Sequence, residues 1–167
     1  MASTPSASRF SRLLAGIAST SGLILASLLP TAAVHAEDGK VYPAVLCQPL
    51  YFGAQPQRTP YAIYPAASGI SQFVCPGIRD EVYSTHGLNS AVVTYNKQAA
   101  QSVTCYIYSF AQSGAYSYLY KTDSANVAGV RKMVFGSIAG YPSGHYAVVC
   151  NLPSGSSMIS YNLNEYS

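Results

Sequence analysis

The sequence has no tryptophan, and only 9% of its residues are charged. Any aromatic surface must therefore be built from its 15 tyrosines and 5 phenylalanines. No basic cluster exceeds the pair Arg131-Lys132, so the electrostatic footprint of a nucleic-acid binder is absent. No two cysteines stand at the CxxC spacing of a zinc site. The alternating acid and amide pattern of a calcium loop is missing. So are the G-x-S-x-G nucleophile elbow and a glycine loop leading into a helix that could cradle phosphate. Helical periodicity is nearly absent along the whole chain.

The reactive groups that remain are few. After the N-terminal region there are two histidines, His86 and His145. The one local cluster is "RDEVYSTH", with Asp80, Glu81, Ser84 and His86. Residues so close in sequence rarely converge into a triad, which is recognised by geometry, so the stretch reads as a solvated loop. His145, in "PSGHY", reads as a loop or edge residue. A small hydrolase using His86 or His145 is the competing reading. No cofactor and no metal are expected.

The N-terminus has the composition of an export leader. Arg9 and Arg12 precede the apolar, small-residue run "LLAGIASTSGLILASLLP", and "TAAVHA" offers small residues at Val34 and Ala36. Cleavage after Ala36 is expected, with residues 1–36 as signal peptide. Gly16, Ser19, Thr20, Ser21 and Gly22 make the run a poor permanent span. Two charges of the formal +3 belong to this leader. Residues 37–167 are expected to form a single secreted or periplasmic domain, with no membrane attachment after cleavage.

All four cysteines, Cys47, Cys75, Cys105 and Cys150, lie in that domain. An even count in an exported chain indicates two disulfides. Three pairings exist, and local parsimony favours Cys47–Cys75 with Cys105–Cys150, although spacing cannot prove it. Each bridge would contribute about 3–4 kcal/mol in the chain-entropy picture.

Period-two alternation of Val, Ile, Tyr and Thr marks strands near 44–51, 61–64, 69–75, 90–96, 102–110, 115–122, 130–135, 146–152 and 158–163. Turn-forming groups such as "GAQPQRTP", "AQSG" and "LPSGS" separate them. This spacing predicts an all-β antiparallel sandwich, Ig-like or jelly-roll-like, of about eight or nine short strands, with a closed barrel as the alternative. A short helical turn is allowed at 76–83 or 97–101.

The stretch "VTCYIYSFAQSGAYSYLYK" (residues 103–121) carries a tyrosine at almost every second position. Val103, Cys105 and Ile107 share one strand face, joined across the turn by Ala115, Ser117 and Leu119; this face is expected to point inward. The opposite face then carries Thr104, Tyr106, Tyr108 and Phe110 beside Tyr116, Tyr118 and Tyr120. Cross-strand aromatic pairs stabilise a sheet by roughly 0.2–1 kcal/mol each, and tyrosine tolerates a wet face. The row can therefore be purely structural. It can also be a binding platform for a glycan or an envelope protein, unless the 141–146 loop or a neighbouring sheet covers it.

"AVLCQP", "FVCP", "VTCYIYS" and "YAVVCNLPSGSSMISY" together resemble a family of small exported bacterial proteins with four cysteines, whose loose pattern runs C…CP…C-x-I-x-S…C-x-LP here. The resemblance implies export and a β-sandwich, and it implies no activity. Family members often carry an aspartate where "VVTYNKQ" places Asn96. The chain also resembles fimbrial subunits in being disulfide-bridged with a tyrosine next to last, Tyr166; that likeness implies a structural subunit of a pilus-like assembly, completed by donor-strand exchange. It departs from them in its four cysteines and in "EDGKVYPAVL", which lacks a long alternating donor strand.

Overall fold

A computed structural model of the chain describes residues 39–51, 55–66, 69–80 and 85–166. The expected leader and its cleavage position, together with Glu81 and Ser84 of the polar cluster, lie outside the described residues.

Eleven strands and one 3-10 turn make up the described part, in two antiparallel sheets. The strands are β1 Gly39–Pro43, β2 Gln48–Pro49, β3 Gln57–Arg58, β4 Ile63–Tyr64, β5 Ile70–Gly77, β6 Leu88–Lys97, β7 Val103–Phe110, β8 Tyr116–Asp123, β9 Gly129–Phe135, β10 His145–Pro153 and β11 Ser157–Glu165. One sheet runs β3-β4-β11-β6-β9, with β1 also paired to β11; the other runs β2-β5-β10-β7-β8. The two inner faces meet in one core, the arrangement of an antiparallel β-sandwich.

Alternation decides which side of each strand lies inside. Val103, Cys105 and Ile107 of β7 are buried, as are Val148, Cys150 and Leu152 of β10. Val93 and Tyr95 of β6 and Tyr161 and Leu163 of β11 meet them from the other sheet. Cys105 stands directly opposite Cys150 and is bridged to it. Cys47 is bridged to Cys75, which ties the 3-10 turn Ala44–Leu46 and β2 onto β5. The Met158 Sδ lies 3.7 Å from Cys75 Sγ, so this bridge is packed from the opposite sheet. The Tyr42 and Tyr161 rings stack at 5.0 Å, and the Tyr161 hydroxyl donates to the Pro76 carbonyl at 2.6 Å.

Several local expectations are corrected. The strand expected over 44–51 is a 3-10 turn followed by the two residues of β2. Pro43 and Pro49 cannot donate to a ladder, which leaves too little chain for a continuous strand. β1 arises at the start of the expected domain, ahead of the first strand read there, and β3 arises in a segment read as turn. The 76–83 segment does not begin a helix: β5 continues through Pro76 to Gly77. After β6 the chain turns at Ala99-Ala100, with Ala100 at φ 60°, and no helix forms there. Ala115, expected inside, is exposed because it closes the hairpin loop rather than entering β8.

β8 and β9 are consecutive but lie in different sheets, so the chain crosses between sheets after Asp123. An ionic knot holds this crossing. The Lys97 side chain is fully buried; its ammonium donates to the carbonyls of Gln101 at 2.7 Å and Ala125 at 2.5 Å and lies 3.7 Å from Asp123. Asp123 also accepts from the Tyr95 hydroxyl at 2.6 Å and from Arg131. Burial alone disfavours the Asp123 carboxylate. The hydrogen bonds from Tyr95, Arg131 and the Ala125 amide, together with the Lys97 charge, outweigh it and hold the pKa at about 2. Burial, and next the bond to Asp123, push the Tyr95 phenol well above its ordinary value.

The folded pKa of Asp123 lies below the unfolded value, so the stability it contributes is complete above about pH 4 and is lost as pH falls toward 2. Asp123→Asn leaves Lys97 buried without its countercharge; it should destabilise by about 2–4 kcal/mol at neutral pH and flatten the loss of stability between pH 4 and 2. Urea unfolding of both proteins across that pH range checks this.

Candidate functional site

The tyrosines of β7 and β8 are brought together by one tight hairpin. Gly114 N–H donates to Ala111 O at 3.0 Å, and Ala111 N–H donates back to Ala115 O at 2.7 Å. Gly114 sits at φ 88°, the left-handed position that ends this three-residue loop and that a side chain would strain. The loop sets the register: Tyr106 faces Tyr120, Tyr108 faces Tyr118, and Phe110 faces Tyr116. Every ring points away from the core, because the alternate positions Val103, Cys105, Ile107 and Ser109 are buried.

The rings form a continuous layer. Tyr106 and Tyr120 lie 5.8 Å apart, Tyr108 and Tyr118 5.5 Å, and Phe110 and Tyr116 5.9 Å. Along β7, Tyr106 stacks on Tyr108 at 6.0 Å and Tyr108 on Phe110 at 5.3 Å with only 15° between planes. Tyr116, Tyr118 and Tyr120 remain 58%, 50% and 62% exposed, so neither the 141–146 loop nor the other sheet covers them. Tyr106, Tyr108 and Phe110 are half-buried between their neighbours. Tyr108, the ring with tyrosines on three sides, has its phenol pushed up by burial and next by Tyr106, Tyr116 and Tyr118.

Two parts of this face go beyond the tyrosine surface read from the sequence. His145, at the start of β10, pairs with Phe110 and stacks on it at 5.1 Å and 19°, so it continues the ring layer onto a third strand. A polar row also crosses the sheet in register. Thr122 faces Thr104, Thr104 faces Asn151, and Asn151 faces Gln72. The Thr104 and Thr122 hydroxyls are hydrogen-bonded at 2.9 Å. This row runs beside the line of Tyr120, Tyr106, Val149 and Val74. It ends at a hollow of about 290 Å³ lined by Gln72, Asn151, Ile70 and Tyr51, among others. Alternation along "HYAVVCN" carries the signal for the β10 members, but their neighbours depend on which strands pair.

The two histidines are placed differently. His86 lines an end hollow of about 430 Å³ with Thr85, Gly87, Ile138 and Tyr166, and its ring lies 6.5 Å from that of Tyr166. There Gly87 is required: a Cβ would come within 1.8 Å of the Ile138 carbonyl oxygen. Asp80 is ion-paired with Lys40. His145 belongs to the outer ring layer. Among the described residues no three of His, Cys, Asp and Glu gather as a metal site.

The fold and this face define an all-β sandwich with one open aromatic sheet surface. No family model matches the sequence, and no curated protein matches it. Solved structures with a similar fold include a low-affinity xylan-binding module, CBM86, from Roseburia intestinalis, 12% identical over 77% of this chain and 96% of that one, with a TM-score of 0.48. They also include the Podospora anserina GH26-CBM35 β-(1,4)-mannanase, 10% identical, with a TM-score of 0.41, where 79% of this chain spans 28% of that one. A CBM4 structure is 10% identical over 77% of this chain and 83% of that one, with a TM-score of 0.30. What this chain binds is read below from its own side chains.

Rings that serve a ligand, rather than the fold, are cheap to remove. Tyr118→Ala should cost less than about 1 kcal/mol of stability. Ile107→Ala, on the buried side of the same hairpin, should cost about 2–4 kcal/mol. Equal losses in urea unfolding would make the outer ring a structural element.

Proposed function

We propose that the protein is a non-catalytic glycan-binding module of the secreted or periplasmic space, and that Tyr106, Tyr108, Tyr116, Tyr118 and Tyr120 carry the binding, with Phe110 and His145 extending their surface. The observation that carries this reading is the open ring layer itself: half or more of each β8 tyrosine faces solvent in a chain with few charges. Contiguous exposed apolar surface of this kind marks an interaction site. A sugar ring has apolar C–H faces and a rim of hydroxyls. The flat rings match the first, and the Thr122, Thr104, Asn151 and Gln72 row, together with the phenol groups, matches the second. A protein partner, such as another envelope protein, more often buries an anchor in a closed pocket, and the ring layer is a surface rather than a pocket.

Two disulfides agree with life in an oxidising compartment. The proposal includes export by residues 1–36 and membership of the four-cysteine exported family that the sequence resembles. Binding rather than catalysis is favoured by the separate surroundings of His86 and His145. Among the described residues the first strand, β1, is paired to β11 within its own sheet rather than extended as a free donor strand, which disfavours the reading as a pilus-like subunit.

Polysaccharide retention by wild type and by a Tyr106→Ala/Tyr118→Ala double variant tests the proposal. At about 1 kcal/mol per stacked ring, the double variant should lose roughly 10- to 30-fold in affinity while keeping its fold. Absence of retention of the wild type across a broad glycan panel, or equal retention of both proteins, would overturn it.

A further inference from the structure

Basic side chains are unevenly placed. The described residues include seven lysines and arginines, and three of these are occupied away from the ring layer. Lys40 is paired with Asp80, Arg58 bonds the Val45 carbonyl and Gln48, and Arg79 bonds the carbonyls of Tyr141 and His86. The other four, Lys97, Lys121, Arg131 and Lys132, stand at the crossing from β8 to β9. One carboxylate, Asp123, accompanies them.

That carboxylate is fully engaged. It holds buried Lys97 on one side and Arg131 on the other and accepts from Tyr95. Lys121 and Lys132 have no ion-pair partner among the described residues. Both are exposed, and both line a groove of about 380 Å³ between the two edge strands, with Arg131 and Asp123 at its base. Thr122 lines the groove as well, and on its other side it takes part in the polar row beside Tyr120. Lys121 faces Cys105 across the ladder and so lies on the side of β8 away from the rings, and Lys132 stands on the other sheet; the groove adjoins the ring layer at Thr122, around the edge strand β8.

We infer that this groove binds an oxyanion carried by the ligand, so that the glycan held on the ring layer is an acidic one bearing carboxylate or sulfate groups. The inference rests on the glycan reading of the ring layer. Two lysine contacts to such a group, each worth up to about 1 kcal/mol when exposed, give roughly a tenfold preference over a neutral chain of the same backbone. The preference is Coulombic and between exposed groups, so salt screens it. Lysines on edge strands also deter edge-to-edge pairing of sheets; that role alone would leave acidic and neutral chains bound equally.

The experiment is calorimetric titration of the protein with neutral oligosaccharides and with their uronate and sulfate-ester counterparts, at low salt and at high salt. Wild type should bind at least one acidic series about tenfold more tightly than the neutral one at low salt; which series it prefers tells carboxylate from sulfate. High salt should remove the preference, and so should a Lys121→Ala/Lys132→Ala variant, with neutral binding unchanged in each case. Lys121→Glu should disfavour the acidic series. Equal binding of acidic and neutral chains, or an acidic preference that survives the double substitution, overturns the anion groove and leaves the ring layer standing. Binding of none of the chains overturns the ring layer and the groove together.

Discussion

One parity constraint governs the molecule: the strand β7 must turn Cys105 inward. In an extended chain successive side chains point to opposite faces. Fixing Cys105 against Cys150 therefore fixes Val103, Ile107 and Ser109 inside and sends Tyr106, Tyr108 and Phe110 outside. The same ladder hydrogen bonds could be made one residue out of register, but the aliphatic row would then face water and the phenols would enter the core without partners for their hydroxyls. The hairpin at Gly114 passes the parity on to β8. The covalent bridge and the ring layer are thus opposite sides of the same decision.

β8 needs more than parity, because it overhangs the core. Of its inward positions, Ser117 and Leu119 are only half-buried and Lys121 is exposed, and Leu119 alone packs against the core cluster. Apolar burial cannot account for its order. Three other things hold it: the full ladder to β7, the cross-strand ring pairs, and Asp123 at its end. A buried charge pair is weak evidence of net stability, because desolvation offsets attraction. Here the pair has a positional effect. Lys97 spends its donors on the carbonyls of Gln101 and Ala125 and on Asp123, so it clamps the start and the end of the β7–β8 hairpin to β6.

The sandwich, the inward cystines and the outward tyrosines were legible in the sequence because each follows from alternation within a single segment. What escaped was long-range or too short to alternate. β1 and β3 have five and two residues, and no sequence period can be read in two. Ala115 obeyed the alternation on paper but is exposed, because it closes the loop opposite Ala111 before β8 begins. His145 read only as a loop or edge residue, and not as part of the ring layer, because its stacking partner, Phe110, is 35 positions away and meets it only through the β7–β10 pairing. The polar row is of the same kind: Thr122, Thr104, Asn151 and Gln72 come from four strands, and only the sheet order makes them neighbours. The Lys97–Asp123 knot pairs residues on two sheets whose contact depends on where the chain crosses over.

The scarcity of charge and the abundance of tyrosine have a common physical basis. A sheet face without charges must stay wet by other means, or it will pair with another copy of itself. Phenylalanine or leucine in these rows would make the face sticky without discrimination, whereas a phenol keeps a polar group at the water boundary while leaving its ring available. With few charges elsewhere on this face, the few cations near its edge are weakly screened by fixed neighbours. Their effect on an approaching ligand is correspondingly large at low ionic strength. On the proposed reading, such a surface would separate two jobs in space: the rings would hold a sugar backbone of suitable shape, and the charged edge that adjoins them at Thr122 would sort among backbones by what they carry. Affinity and selectivity then depend on different residues, which makes each removable without the other.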